Sequence, residues 1–171
     1  MGYGLVRITG SNLTVIQYGI FKLGEYSTHE LKLKKIFERV LGILNEFSPD
    51  EVALEAPFYG KNVQSMLKLG RAQGVAMAAA LSCEIPITEY APRKIKQSVT
   101  GNGNASKEQV AKMLMSVLKI KEDPRMLDAT DALAVAVCHH YQKGNLKSKT
   151  KSWSSFVTEN QERIVKSPAN K

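Results

Sequence analysis

The chain has 171 residues, with 24 Lys and Arg against 16 Asp and Glu, for a formal charge of +8. Such a length favours one domain with a real core. No apolar run approaches the roughly 18 residues of a membrane span, and no signal peptide precedes the first strand pattern, so a cytoplasmic protein without a membrane role is expected. The two cysteines, Cys83 and Cys138, lie in apolar helical patterns without metal-ligand spacing and are expected as reduced core thiols. Seven basic and two acidic residues give 143–171 a net +5, which leaves +3 for residues 1–142. The expected organisation is one α/β domain over 1–142 and a basic, flexible tail over 143–171. A basic tail points weakly towards polyanions.

Gly2–Thr9, Leu13–Tyr18 and Gly19–Lys22 read as strands, with Gly10-Ser11-Asn12 as a hairpin turn between the first two. Ser27-Thr28-His29-Glu30 has capping-box spacing. The helix after it places Leu33, Ile36, Phe37, Val40, Leu41 and Leu44 on one face. Ser48-Pro49-Asp50 ends that helix. Val52, Ala53 and Leu54 then form a short strand, apolar on both faces as in a parallel sheet, with Glu55 at its carboxyl end. Ligands and catalytic groups collect at that end of strands in open α/β sheets. Pro57 and Gly60 open a loop that carries Phe58 and Lys61 side by side.

Asn62–Ser82 reads as a helix rich in small residues. Gly70, Gly74 and Ala78 recur every four positions, a strip for close packing on the sheet or for a dimer seam. Ile85–Tyr90 is a further strand, and Pro92 suits the first turn of a short helix. Thr100–Ala105 reads as a flexible loop. It resembles a dinucleotide-binding GxGxxG only superficially, because no strand precedes it. Ser106-Lys-Glu-Gln109 is a second capping box, opening a helix to about Leu118. Leu127–Tyr141 is the last strong helix, with His139 and His140 expected near a solvated end rather than as metal ligands. Trp153, Phe156, Val157 and Ile164 are spaced so that a short terminal helix, if it forms, would carry them on one face.

Asp128 and Asp131 stand at i and i+3, so both carboxylates share one face near the start of that last helix. Taken alone, the pair reads as helix capping. The apolar run Ala132–Val137 places the acids at the rim of a buried helix. Buried like charges repel unless neutralised, and a hard divalent cation does so through oxygen ligands. Three carboxylates, Glu55 with Asp128 and Asp131, suit a phosphodiesterase whose two metal ions lie about 4 Å apart and hold the attacking and leaving oxygens.

Four segments carry a resemblance: Ala53–Asn62 (ALEAPFYGKN), Leu67–Val75 (LKLGRAQGV), Glu89–Gln97 (EYAPRKIKQ) and Asp128–Ala134 (DATDALA). In order, from about Gly2 to Tyr141, the chain resembles the RuvC family of bacterial Holliday-junction resolvases. The resemblance implies an RNase H-like mixed sheet flanked by helices. It also implies a homodimer that nicks opposed strands of a four-way DNA junction with Mg²⁺, two ions per site in the intact family, in recombination and repair. By the same resemblance Glu55, Asp128 and Asp131 are metal ligands and catalytic acids. Phe58 is an aromatic wedge at the junction centre, Lys96 and Lys107 lie near the scissile phosphate, and the helix from Asn62 is the dimer helix. Lys61 joins them as a DNA contact beside Phe58, and a branch-migration motor complex is an implied partner.

One feature departs from the family pattern. Family members begin with a strand ending Gly-Ile-Asp-Pro-Gly, whose Asp is a fourth ligand, whereas this chain starts Met1-Gly2-Tyr3-Gly4. The expectation is therefore a sheet lacking its first, central strand, with two neighbouring edges that pair with each other or stay open. A wrong start codon, a fragment and a degenerate paralogue all fit this. Weak nuclease activity is then expected. Two other readings accompany the resolvase: a junction-binding protein without nuclease activity, and an RNase H-like nuclease acting on another structured nucleic acid.

Overall fold

The computed structural model describes residues 1–10, 12–57, 62–120 and 126–149, the last six of these by backbone alone. Phe58, Lys61 and the apolar face from Trp153 to Ile164 lie outside the described residues. The elements are β1 (Gly2–Thr9), β2 (Asn12–Ile20), α1 (His29–Phe47), β3 (Val52–Glu55), α2 (Val63–Ser82), β4 (Ile87–Tyr90), α3 (Pro92–Thr100), α4 (Lys107–Leu118) and α5 (Leu127–Lys149).

β1 and β2 form an antiparallel hairpin, with Gly2 opposite Ile20 and a register shift between Leu5 and Val6. β3 and β4 pair in parallel, Val52 beside Ile87 and Glu55 beside Tyr90. The two pairs are separate two-stranded sheets. Antiparallel and parallel pairing are thus both present, and the edges of β1 and β3 do not pair with each other. The strand expected at Gly19–Lys22 is not a separate element. Gly19 lies opposite Tyr3, so β2 runs on to Ile20, and Phe21 N then donates to Met1 O at 2.8 Å.

Alternation along β3 sorts its side chains between two cores. Val52 packs with Ile87 against Leu44 of α1 and Ala79 and Ala80 of α2. Ala53 faces the other way, into the cluster of Leu133, Ala134, Val137 and Cys138 of α5 with Ile95, Val99 and Leu114. The parity that turns Ala53 towards α5 also turns Glu51 and Glu55 towards it. α5 packs on β1, β2 and β3 alike. Its approach to β1 needs glycine: a Cβ on Gly4 would lie 2.7 Å from Leu133 Cδ2, and one on Gly2 would lie 1.9 Å from the Asp128 carbonyl oxygen.

Local chemistry sets the helix ends. Thr28, rather than the expected Ser27, caps α1 by accepting from Leu31 N at 3.3 Å. Ser48 closes α1 with a left-handed φ of 42°. Asn62 caps α2, accepting from Ser65 N at 3.1 Å. The Thr100–Ala105 stretch carries a run of hydrogen-bonded turns. Thr100 Oγ1 donates to Lys96 O at 2.8 Å, and Asn104 N donates to Asn102 Oδ1 at 2.9 Å. Short polar side chains capture nearby backbone in this way. α5 continues past Tyr141 to Lys149. Gln142, Lys143, Leu146 and Lys147 favour helix, and a single Gly144 costs only about 1 kcal/mol.

Gly4→Val should therefore cost about 1–3 kcal/mol through overpacking against Leu133. Gly42→Ala, on an exposed stretch of α1 with open space at its Cβ, should gain about 0.5–1 kcal/mol. Urea denaturation of both variants checks this, and an unaffected Gly4→Val would contradict the close approach of β1 to α5.

Candidate active site

Glu55, Lys96, Lys107 and Asp131 line one cleft, whose apolar part is Pro92, Ile95, Val110, Ala134 and Val135. Each charged group arrives on a differently anchored element. Glu55 ends β3 beside Tyr90, whose carbonyl accepts from Ala56 N at 2.9 Å. Lys96 sits on α3, entered through Pro92 at its first turn and closed by Gly101 at φ 77°, a conformation suited to glycine. Lys107 begins α4 behind a complete capping box. Gln109 N donates to Ser106 Oγ at 3.3 Å and Ser106 N donates to Gln109 Oε1 at 2.8 Å. Asp131 lies one turn into α5, just before the fully buried Leu133.

Lys107 Nζ donates to Asp131 Oδ2 at 3.2 Å, with the two side chains 78% and 48% exposed. An exposed pair of this kind contributes about 0–1 kcal/mol, so Lys107 can turn to another anion at little cost. The Asp131 hydrogen bond and charge hold the Lys107 ammonium above its ordinary pKa. Glu55 is also raised. Desolvation comes first, the Asp131 charge second, and Lys107 and Lys96 pull the other way.

Asp128 stands on the preceding turn, mostly exposed, with Oδ2 3.4 Å from the Met1 amino group. It contributes to the field at Lys107 but does not line the cleft. Among the described residues no three ligating side chains lie close enough to hold a metal ion. Glu55 and Asp131 nonetheless fit one: both are hard oxygen donors, their charges crowd, and Mg²⁺ commonly takes only one or two carboxylates, completing its shell with water and phosphate.

Gly70, Gly74 and Ala78 are exposed on α2, and a Cβ at either glycine would meet nothing within 4 Å. Val63, Leu67 and Leu81, on the same helical face, are 64%, 51% and 62% exposed. The opposite face buries Ala76, Ala79 and Ala80. The strip is therefore not used for packing on β3 and β4.

Sequence reasoning missed His139. It stands inside α5, largely buried, between Glu51 and Tyr90, and not at a solvated helix end. The Glu51–Ala53–Glu55 alternation was the available signal for one partner. Nothing local signalled Tyr90.

Carboxylates from a strand end and a helix, facing two lysines across a cleft in an RNase H-like α/β fold, define a phosphodiester-cleaving class of protein. The family model for crossover junction endodeoxyribonuclease RuvC matches residues 1–139. RuvC proteins of Cytophaga hutchinsonii and Bacteroides fragilis are 60% and 57% identical, over 99% and 96% of this chain and 84% and 89% of theirs. A solved structure of Thermus thermophilus RuvC in complex with Holliday junction substrate matches with a TM-score of 0.77 and 32% identity, over 83% of this chain and 87% of that one. The chain belongs to the RuvC family of crossover junction endodeoxyribonucleases.

The raised Glu55 pKa has a consequence for stability. Its carboxyl is protonated to a higher pH when folded than when unfolded, so folding is helped at acid pH. That help is lost as pH rises through the folded value. In metal-free buffer Glu55→Gln should melt higher than wild type at pH 7. The gain should shrink on acidification and vanish below about pH 4, where both states are protonated. A gain that does not change with pH would contradict the crowding of Glu55.

Proposed function

We propose that this chain is a structure-specific endonuclease that resolves four-way DNA junctions as a Mg²⁺-dependent homodimer in cytoplasmic recombination and repair. The observation that carries the reading is the meeting of Glu55, Asp131, Lys96 and Lys107 in one cleft of a RuvC-family chain. Glu55 and Asp131 would hold the ion, and Asp128, one turn earlier, is the carboxylate nearest in sequence for a second. When bound, such an ion polarises phosphate and lowers the pKa of its water. Lys107, only weakly tied to Asp131, is placed to exchange that partner for a phosphate oxygen, with Lys96 beside it. The apolar lining of Ile95, Val110 and Val135 reduces water around the charged groups and strengthens their interactions. Phe58 and Lys61 follow Glu55 closely in the chain and are assigned to the junction itself, Phe58 by stacking on an unpaired base and Lys61 by phosphate contact. No helix among the described residues is long and apolar enough to cross a membrane.

The homodimer reading rests on the face of α2 that runs from Val63 through Leu67, Gly70, Gly74 and Ala78 to Leu81. Its small residues let two helices approach closely, and its exposed leucines supply apolar area. A two-fold dimer presents two equivalent sites to a two-fold junction. A branch-migration motor complex is a further partner, supported by the family resemblance.

A labelled four-way junction should be cut in Mg²⁺ and bound without cutting in Ca²⁺, while linear duplex and RNA–DNA hybrid stay intact. Asp131→Asn should lose cutting and keep binding. Binding without any wild-type cutting would favour a junction-binding protein, and cutting of the hybrid a different nuclease. Phe58→Ala should weaken junction binding by about 1–3 kcal/mol, the scale of one base stack. Gly74→Leu should convert the dimer to monomer by light scattering, and a wild type already monomeric at tens of micromolar would contradict the α2 seam.

A further inference from the structure

Away from the cleft, three side chains, from β4, from α5 and from the residue just before β3, form a continuous hydrogen-bonded chain. Tyr90 Oη lies 2.9 Å from His139 Nδ1, and His139 Nε2 lies 2.5 Å from Glu51 Oε2. The Tyr90 and His139 rings also meet edge-on at 5.7 Å. The second oxygen of Glu51 pairs with Lys143, one turn further along α5. The His139 and Glu51 side chains are only 12% and 24% exposed.

Donors and acceptors balance in one tautomer. Glu51 can only accept, so Nε2 carries the proton, and Nδ1 then accepts from the Tyr90 hydroxyl. Every polar atom is used while the imidazole stays neutral, the form that burial also favours at His139.

We propose that Glu51, His139 and Tyr90 are positioning residues that lock α5 in register along β3 and β4, and so set the separation of Asp131 from Glu55. The inference rests on the nuclease reading of that cleft. Glu55 and Asp131 belong to elements that share no hydrogen-bonded ladder, so tertiary packing relates them, that of α5 on β3 and on α3, which follows β4. The α5 side of the contact with β3 includes Ala134, a small side chain in the cluster that Ala53 joins, and a small side chain resists sliding poorly. His139 lies eight residues beyond Asp131, about 12 Å along a helix. Glu51 lies four residues before Glu55, about 13 Å along a strand. The two spans match, so the distal contact holds only when Asp131 is level with Glu55. A slip of one helical residue would move Asp131 by about 1.5 Å and turn it by about 100°. Misplacement by about 1 Å at a reacting centre can cost about a hundredfold in rate.

The test uses the full chain. Tyr90→Phe keeps the ring in the core and removes only the hydroxyl, and His139→Phe removes both bonds. Both should lower kcat on a four-way junction about tenfold to a hundredfold while leaving KM and junction affinity in Ca²⁺ unchanged. Glu51→Gln, which keeps an acceptor oxygen, should recover most of what Glu51→Leu loses. In metal-free protein, imidazole ¹⁵N shifts should show neutral His139 protonated at Nε2. Amide exchange over residues 131–139 should quicken in Tyr90→Phe. A lowered melting temperature with unchanged kcat and unchanged α5 exchange would reduce the chain to ordinary structure and overturn the proposal. If the wild type does not cut junctions, the nuclease reading fails instead, and the ¹⁵N and exchange data still decide whether the lock exists.

Discussion

The packing of α5 is the constraint on which the rest of the structure depends. The β1–β2 and β3–β4 pairs are separate sheets, and α5 touches both. Hydrogen-bonded ladders therefore fix positions only within each pair. Relative placement falls to the buried face of one helix, through Leu133, Ala134, Val137 and Cys138. Apolar burial of this kind is strong, about 25 cal/mol per Å², but it has no direction. Direction comes from shape and from polar contacts. Gly2 and Gly4 supply shape, because only a backbone without Cβ fits so close to Asp128 and Leu133. The Glu51–His139–Tyr90 chain supplies a polar contact on the other sheet.

The chemistry of the cleft follows from that placement. Asp131 sits where α5 leaves the core, and Glu55 where β3 ends, so both carboxylates lie at the boundary between an apolar floor and solvent. There desolvation first, and the Asp131 charge second, raise Glu55. The carboxylates stay accessible enough to exchange partners, since the Lys107–Asp131 pair is mostly exposed. A fully buried cluster would bind its own lysine too firmly, and a fully exposed one would be screened by water. The same boundary suits a hard cation whose remaining coordination positions must be open to water and phosphate.

The parts of this arrangement legible in the sequence are those governed by local periodicity. The short apolar run Val52–Leu54 marked β3 as a strand of a parallel sheet with Glu55 at its carboxyl end, and the i, i+3 spacing of Asp128 and Asp131 put both acids near the start of α5. The Ser106 capping box and the Pro92 start held as read. The misses came from competition that spacing alone does not resolve. Thr28 and Ser27 both offered a hydroxyl at the start of α1, and pairing across the hairpin carried β2 through Gly19. His139 was misread for a different reason: its partners are 49 and 88 residues away in the chain. Contacts of that range depend on the tertiary packing of α5, which no window of sequence contains. That Asp131 lines the cleft while Asp128, one turn earlier, does not has the same origin.

The central claim is that Glu55 and Asp131 form one cation site at the boundary of the core. A crystal of the full chain soaked in Mn²⁺, with anomalous data collected above the manganese edge, tests it most directly. The account predicts an anomalous peak within bonding distance of carboxylate oxygens of both Glu55 and Asp131, and its loss in Asp131→Asn. A peak held only by other residues, or one unchanged by that substitution, would contradict it.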